Sequence, residues 1–190
     1  MRKRLALFGS GRGSNGEAIY KVIEAGHING EIVLIISDRS NVGIVEKGCA
    51  WHIPVYIVDP ANYGTEAAWT QAMLDLLQEY EVEGILLAGY TRILPPTFVQ
   101  AYRGNILNIH PSLLPAFTGL QAQKQALLKG VKYTGCTVHF VDEGMDTGPI
   151  IAQAVVPVYE DDTVILYQHE SCMKSIASTQ RRCAYFARML

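Results

Sequence analysis

The sequence predicts an α/β fold: a Rossmann-like, mostly parallel sheet with helices on both faces and an antiparallel extension in the C-terminal half. Three observations carry this. Short apolar runs alternate with segments of helical periodicity through the first 110 residues. The runs are apolar at successive positions, as parallel strands covered on both faces require. After about residue 130 the alternation gives way to two strand-like segments joined by a short acidic turn. With 190 residues, 49% apolar and 18% charged, the chain can build one sizeable core and is neither disordered nor collagen-like. The expectation is a single domain over residues 1–190, with 164–190 an atypical tail.

In chain order, residues 4–9 read as a buried strand. Residues 14–25 read as a helix with Ala18, Ile19, Val22, Ile23 and Ala25 along it and Gly26 as its stop. Ile32–Ile36 is a continuous apolar strand, 43–51 a short helix and Val55–Val58 a strand. Residues 65–80 form an amphipathic pattern with Trp69, Met73, Leu76 and Leu77 on one face. Gly84–Ala88, a helix near 96–102 and Ile106–Ile109 continue the series. A helix over 120–129 follows. Thr134–Val141 and Pro149–Val158 then read as strands on either side of the turn Asp142–Gly148. Beyond Thr163 the periodicity is poor.

Sixteen Lys and Arg against eighteen Asp and Glu leave a net charge of −2 with no block of like charge, so the chain lacks an electrostatic footprint for nucleic acid. No apolar run approaches the ~18–20 residues of a membrane span. The basic opening Met1–Gly9 lacks the ~7–15-residue apolar stretch of a signal peptide. These features predict a cytoplasmic protein acting on small molecules, without nucleic-acid or membrane partners, as a monomer or homodimer. Cys49, Cys136, Cys172 and Cys183 have no C-x-x-C spacing and are expected to be reduced.

Gly9-Ser10-Gly11-Arg12-Gly13-Ser14-Asn15-Gly16 lies between the first strand and the first helix. Glycines let a ligand approach the backbone, and the free N–H groups of a helix start attract a phosphate. Ser14 or Asn15 is expected to cap the helix or to donate to that anion. Gly11-x-Gly13-x-x-Gly16 also matches the dinucleotide fingerprint, with Asp38 about 20 residues on, where a ribose-binding acid belongs. An NAD(P)-type or non-catalytic nucleotide-binding module is therefore the alternative reading.

The second constellation is Asn108-Ile109-His110-Pro111-Ser112-Leu113-Leu114-Pro115. Residues two apart on a strand face the same side, so Asn108 and His110 project together at a carboxyl edge, where open α/β sheets bind ligands. An amide that can donate to an oxyanion, beside an imidazole that can move a proton, is the minimum equipment for acyl transfer. Asp142, Glu143 and Asp146 in the acidic turn are candidates for the carboxylate that orients such an imidazole. Spacing does not choose among them.

Four stretches resemble the folate-dependent formyltransferases of the glycinamide ribonucleotide formyltransferase type: Gly9–Asn15, Leu87–Leu94, Asn108–Pro115 and Gly135–Ile150. The resemblance implies formyl transfer from 10-formyltetrahydrofolate, as co-substrate, to the amine of glycinamide ribonucleotide in purine biosynthesis, without a metal. It implies Asn108, His110 and Asp146 as the catalytic set and Gly13, Ser14 and Asn15 as the phosphate site. Arg92, Ile93 and Leu94, with Val141, Asp142 and Glu143, are implied as the folate pocket. Departures from the family pattern are Gly16 in place of a larger apolar residue, Tyr90-Thr91 where Phe-Met is frequent, Gln121 in place of His, and Glu66 near a frequent Arg. After Thr163 the resemblance breaks, and the family's Glu that can contact the substrate ribose has no clear counterpart.

Overall fold

The computed structural model describes residues 1–159. The predicted tail, with His169, Glu170, Cys172 and Cys183, lies outside them. Seven strands form one sheet: β1 Lys3–Phe8, β2 Gly30–Ser37, β3 Val55–Ile57, β4 Gly84–Leu87, β5 Ile106–His110, β6 Tyr133–Phe140 and β7 Ile150–Pro157. Their spatial order is β3-β2-β1-β4-β5-β6-β7. The first five pair in parallel, and β6 and β7 extend the sheet antiparallel, as the change of pattern near residue 130 predicts. Among the described residues there are five α-helices: α1 Ser14–Glu24, α2 Gly43–Ala50, α3 Glu66–Glu79, α4 Pro96–Ala101 and α5 Ala122–Leu128.

Side-chain alternation along the strands builds two cores. Leu5, Leu7, Ile35, Leu86, Leu107 and Ile109 pack with Ile19 and Ile23 of α1 and Ile44 of α2. Ala6, Phe8, Ile36, Ile85 and Ile106 pack on the other face with Trp69, Met73 and Leu77 of α3 and Phe98 of α4. A bulge between Leu5 and Ala6 shifts the β1–β2 register by one residue, so Ile32 faces the first core and Leu34 the second. On β5 the alternation that sends Ile106 toward α4 carries Asn108 and His110 to the same side.

The helix starts differ from expectation in two places. α1 is capped by Gly13 at φ 74°, without a side-chain cap bond; neither Ser14 nor Asn15 caps it. The chain can turn in this left-handed conformation only where no Cβ intrudes, and a Cβ on Gly13 would lie 2.9 Å from the Ile44 Cα. α5 begins at Ala122 because Gln121 is left-handed, at φ 57°. A 3-10 turn over Pro60–Asn62, which the sequence pattern does not reveal, is closed by Asp59 accepting from the Ala61 N–H at 3.1 Å. Cys136 is buried and Cys49 exposed.

Gly16 is fully enclosed, and a Cβ there would lie 2.9 Å from both Ile44 Cδ1 and Leu7 Cδ2. Ile44 and Leu7 fill the space that a side chain at this position would take. Replacing Gly16 by Leu is expected to cost about 1–3 kcal/mol through overpacking, and so to lower the melting temperature by several degrees. A thermal melt checks this; a rise in melting temperature would show that the space is open.

Candidate active site

The carboxyl ends of β4 and β5, the start of α5 and the turn between β6 and β7 surround a cleft of about 380 Å³. Asn108, His110, His139 and Asp146 sit together in its wall. Asp146, left-handed at φ 57°, directs its carboxylate inward from the turn. Oδ2 accepts from the Gly119 N–H at 2.8 Å and lies 3.3 Å from His110 Nδ1. Oδ1 accepts from Asn108 Nδ2 at 3.4 Å and lies 3.6 Å from His139 Nε2. Burial pushes the Asp146 carboxyl up, but the His139 contact, the Gly119 N–H and the charges of His110 and His139 outweigh it, so the group is held below its ordinary value.

The two imidazoles have fixed orientations. His110, 4% exposed, donates from Nε2 to the Phe117 carbonyl at 2.8 Å, leaving Nδ1 as the nitrogen that can accept or release a proton against Asp146. His139 donates from Nδ1 to the Phe140 carbonyl at 2.8 Å; in the neutral ring its Nε2 accepts from Asn108 Nδ2 at 3.1 Å, and in the charged ring the Nε2 N–H faces Asp146 Oδ1 at 3.6 Å. The Asn108 amide is thereby turned with its N–H groups toward Asp146 and His139. Behind His110, the Thr137 hydroxyl donates to the Ser112 carbonyl at 2.7 Å and accepts from the Leu114 N–H at 3.0 Å. These bonds fix the loop that carries Phe117.

Of the three acidic candidates, Asp146 is the one that meets His110. Asp142 instead shapes the turn, accepting from the Gly144 N–H at 3.1 Å and the Thr147 hydroxyl at 2.7 Å. Glu143 is exposed. Sequence reasoning passes over His139 because it has no ligand spacing. Its signal is pairing: His139 is directly opposite Asn108 on the antiparallel neighbour, so both side chains emerge on one face.

Arg92, Ile93, Leu94, Val141, Asp142 and Glu143 all line the cleft, as do Tyr90, Thr91 and Gln121. Glu66 does not; it begins α3, which packs on the second core. Gly13, Ser14 and Asn15 are also outside the cleft lining. They follow β1, two strands from β5 and so roughly 10 Å across the sheet. The intervening β4 loop joins the two places, since the Ser10 N–H donates to the Gly89 carbonyl at 3.1 Å. Glu17, in the first turn of α1, would oppose an anion there. Bonds from Lys21 and Lys47 neutralise it and hold its carboxyl down to about 2.

The dinucleotide reading is not supported. Asp38, which it needs to face a ribose, is 1% exposed, and its Oδ2 lies 2.7 Å from Arg92 Nε. The carboxylate is engaged inside the protein, and the Gly11–Gly16 spacing serves α1 and its contact with α2.

A Rossmann-ordered sheet with a half-buried amide, two buried imidazoles and a carboxylate at its strand ends defines an acyl-transfer type of site. The Formyl transferase family profile matches residues 3–175, and the chain belongs to that family. It is 48% identical to the phosphoribosylglycinamide formyltransferase of Bacillus subtilis over 162 residues, covering 85% of this chain and 83% of the relative. It is 42% identical over 165 residues to the trifunctional purine biosynthetic protein adenosine-3 of Chironomus tentans, covering 86% of this chain but 12% of that longer protein. The crystal structure of phosphoribosylglycinamide formyltransferase from Bacillus halodurans superposes with a TM-score of 0.89 at 43% identity, covering 99% of this chain and 95% of that one. No described helix is long and apolar enough to cross a membrane.

The Asp146 carboxyl has a pH signature. Because it is held below its ordinary value of 3.8, it favours the folded state above that pH, and this contribution fades as pH falls through the lower folded value. The stability difference between wild type and Asp146→Asn, from urea unfolding, is expected to be constant near neutrality and to shrink below about pH 4. A difference that widens toward acid would contradict the assigned contacts.

Proposed function

We propose that this chain is a phosphoribosylglycinamide formyltransferase, a one-carbon transferase that moves the formyl group of 10-formyltetrahydrofolate to the amine of glycinamide ribonucleotide in purine biosynthesis, with residues 1–190 acting as one domain. The observation that carries the reading is the convergence of Asn108, His110 and Asp146 in one cleft wall, beside relatives that bear this name over most of their length.

The proposed chemistry follows from the hydrogen bonds. The amine attacks the formyl carbon and its oxygen gains charge. Asn108 holds one N–H on His139 at 3.1 Å and the other on Asp146 at 3.4 Å; the longer bond is the one exchanged for the developing oxyanion. His110, with Nε2 committed to Phe117, moves the proton from the attacking nitrogen toward the leaving folate nitrogen through Nδ1. Asp146 holds that ring and stabilises positive charge on it. Collapse of the tetrahedral intermediate breaks the bond to folate N10 and releases tetrahydrofolate.

In the proposed binding mode, the phosphate rests on Gly13, Ser14 and Asn15 at the start of α1. The folate lies along Arg92, Ile93 and Leu94 against Val141, Asp142 and Glu143. Cleft dimensions suit a drug-sized ligand, since pockets of this kind run from about 300 Å³ upward. Thr91 and Gln121 make this wall more polar.

Purified protein given glycinamide ribonucleotide and 10-formyltetrahydrofolate is expected to release tetrahydrofolate only when the amine is present. Asn108→Ala should lower kcat by roughly a hundredfold to a thousandfold, the usual effect of removing one oxyanion donor, with smaller changes in KM. Wild-type release no greater than that of His110→Ala would reject the proposal.

A further inference from the structure

The cleft wall from Gly89 to Leu94 leaves the sheet through Gly89, left-handed at φ 77°, and re-enters the core at Leu94, 7% exposed. Two side chains outside the cleft hold it. Ser10, 3% exposed, accepts the Thr91 N–H on its hydroxyl at 3.0 Å. Asp38, at the end of β2, grips the Arg92 guanidinium at 2.7 Å. Asp59 adds a longer contact to Arg92 at 3.7 Å.

The Asp38 grip is asymmetric. Its side chain is 0% exposed and that of Arg92 41%. Among the described residues, its Oδ1 has no hydrogen-bond partner, and its other cation, Arg39, lies 3.6 Å away. A buried carboxylate without compensation is costly, so Asp38 is driven to keep Arg92 where it is. Arg92, half in water, has no such need and would turn to solvent if released. Burial, with the negative charge of Asp38 adding to it, also keeps the neighbouring Tyr90 phenol neutral by pushing it well above its ordinary range.

We infer that Asp38 is a positioning residue for the folate-binding wall: through Arg92 it fixes the backbone from Tyr90 to Leu94 in the place where the folate ring system would dock. This rests on the folate reading above. In this role Asp38 touches neither substrate. Loss of its carboxylate leaves no buried charge unpaired, because the released guanidinium is solvated, so the fold survives while the wall loses its tether.

The test compares full-length wild type, Asp38→Ala and Asp38→Asn by calorimetric titration with tetrahydrofolate and by steady-state formyl transfer. Asp38→Ala is expected to raise the Kd for tetrahydrofolate and the KM for formyl-folate roughly tenfold, a usual size for coupled contacts. The kcat and the KM for the amine substrate should stay within about twofold, since neither the reacting groups nor the phosphate loop is touched. Asparagine keeps a neutral acceptor for Arg92 Nε, so Asp38→Asn should shift the Kd by about threefold, and it carries the test if the alanine variant does not fold. A residue that only supports the fold would lower the melting temperature without moving the Kd. Wild-type Kd in the folded variants overturns this inference alone. Failure of the wild-type protein to bind tetrahydrofolate overturns both it and the proposed function.

Discussion

The arrangement of the site depends on one partly buried carboxylate. Asp146 is taken out of water at the mouth of a cleft, an environment that by itself opposes its charge. The four groups that offset this cost arrive from three parts of the chain: the Gly119 N–H before α5, Asn108 and His110 on β5, and His139 on β6. Any of these displaced would leave the charge less compensated. The carboxylate is thus a fixed point that sets the relative positions of two loops and two strands.

The sheet explains why that point is where it is. β5 is the last parallel strand and β6 the first antiparallel one. Their shared edge therefore combines the open carboxyl end of a Rossmann-ordered sheet with side chains delivered by a return strand. Asn108 from one and His139 from the other meet at a paired position. The loop after β5 is pinned from behind by Thr137 and by Gln153, whose amide donates to the Leu114 carbonyl at 2.8 Å. Rigid strands support Asn108, His110 and His139, while the loops contribute Asp146 and the backbone donors and acceptors around it, a division suited to chemistry that needs fixed geometry.

Much of this was legible in the chain because it depends on local pattern. Among the described residues, the apolar runs and helical periodicities mark all seven strands and five helices within one or two residues, since parallel strands covered on both faces are mostly apolar. Asn108 and His110 could be placed on one face because they sit two apart on a strand. What stayed hidden depends on contacts between distant segments. His139 joins the site only through cross-strand register. Spacing alone did not separate Asp146 from Asp142 and Glu143; the family resemblance named it, and its left-handed backbone turns the carboxylate inward. Gly13, rather than Ser14 or Asn15, caps α1 because Ile44 packs against it from α2. Asp38 sits where a dinucleotide fingerprint would want it, yet Arg92, 54 positions later, has claimed it.

The position of the one-carbon unit is what the proposed chemistry requires. The most direct measurement is a crystal structure of the protein with glycinamide ribonucleotide and a folate analogue whose formyl group cannot be transferred. The formyl oxygen is expected within hydrogen-bond distance of Asn108 Nδ2, the amine near His110 and Asp146, and the phosphate on Gly13–Asn15. A formyl group bound away from these side chains, with the Asn108–His139 and His110–Asp146 contacts undisturbed, would contradict the proposed chemistry.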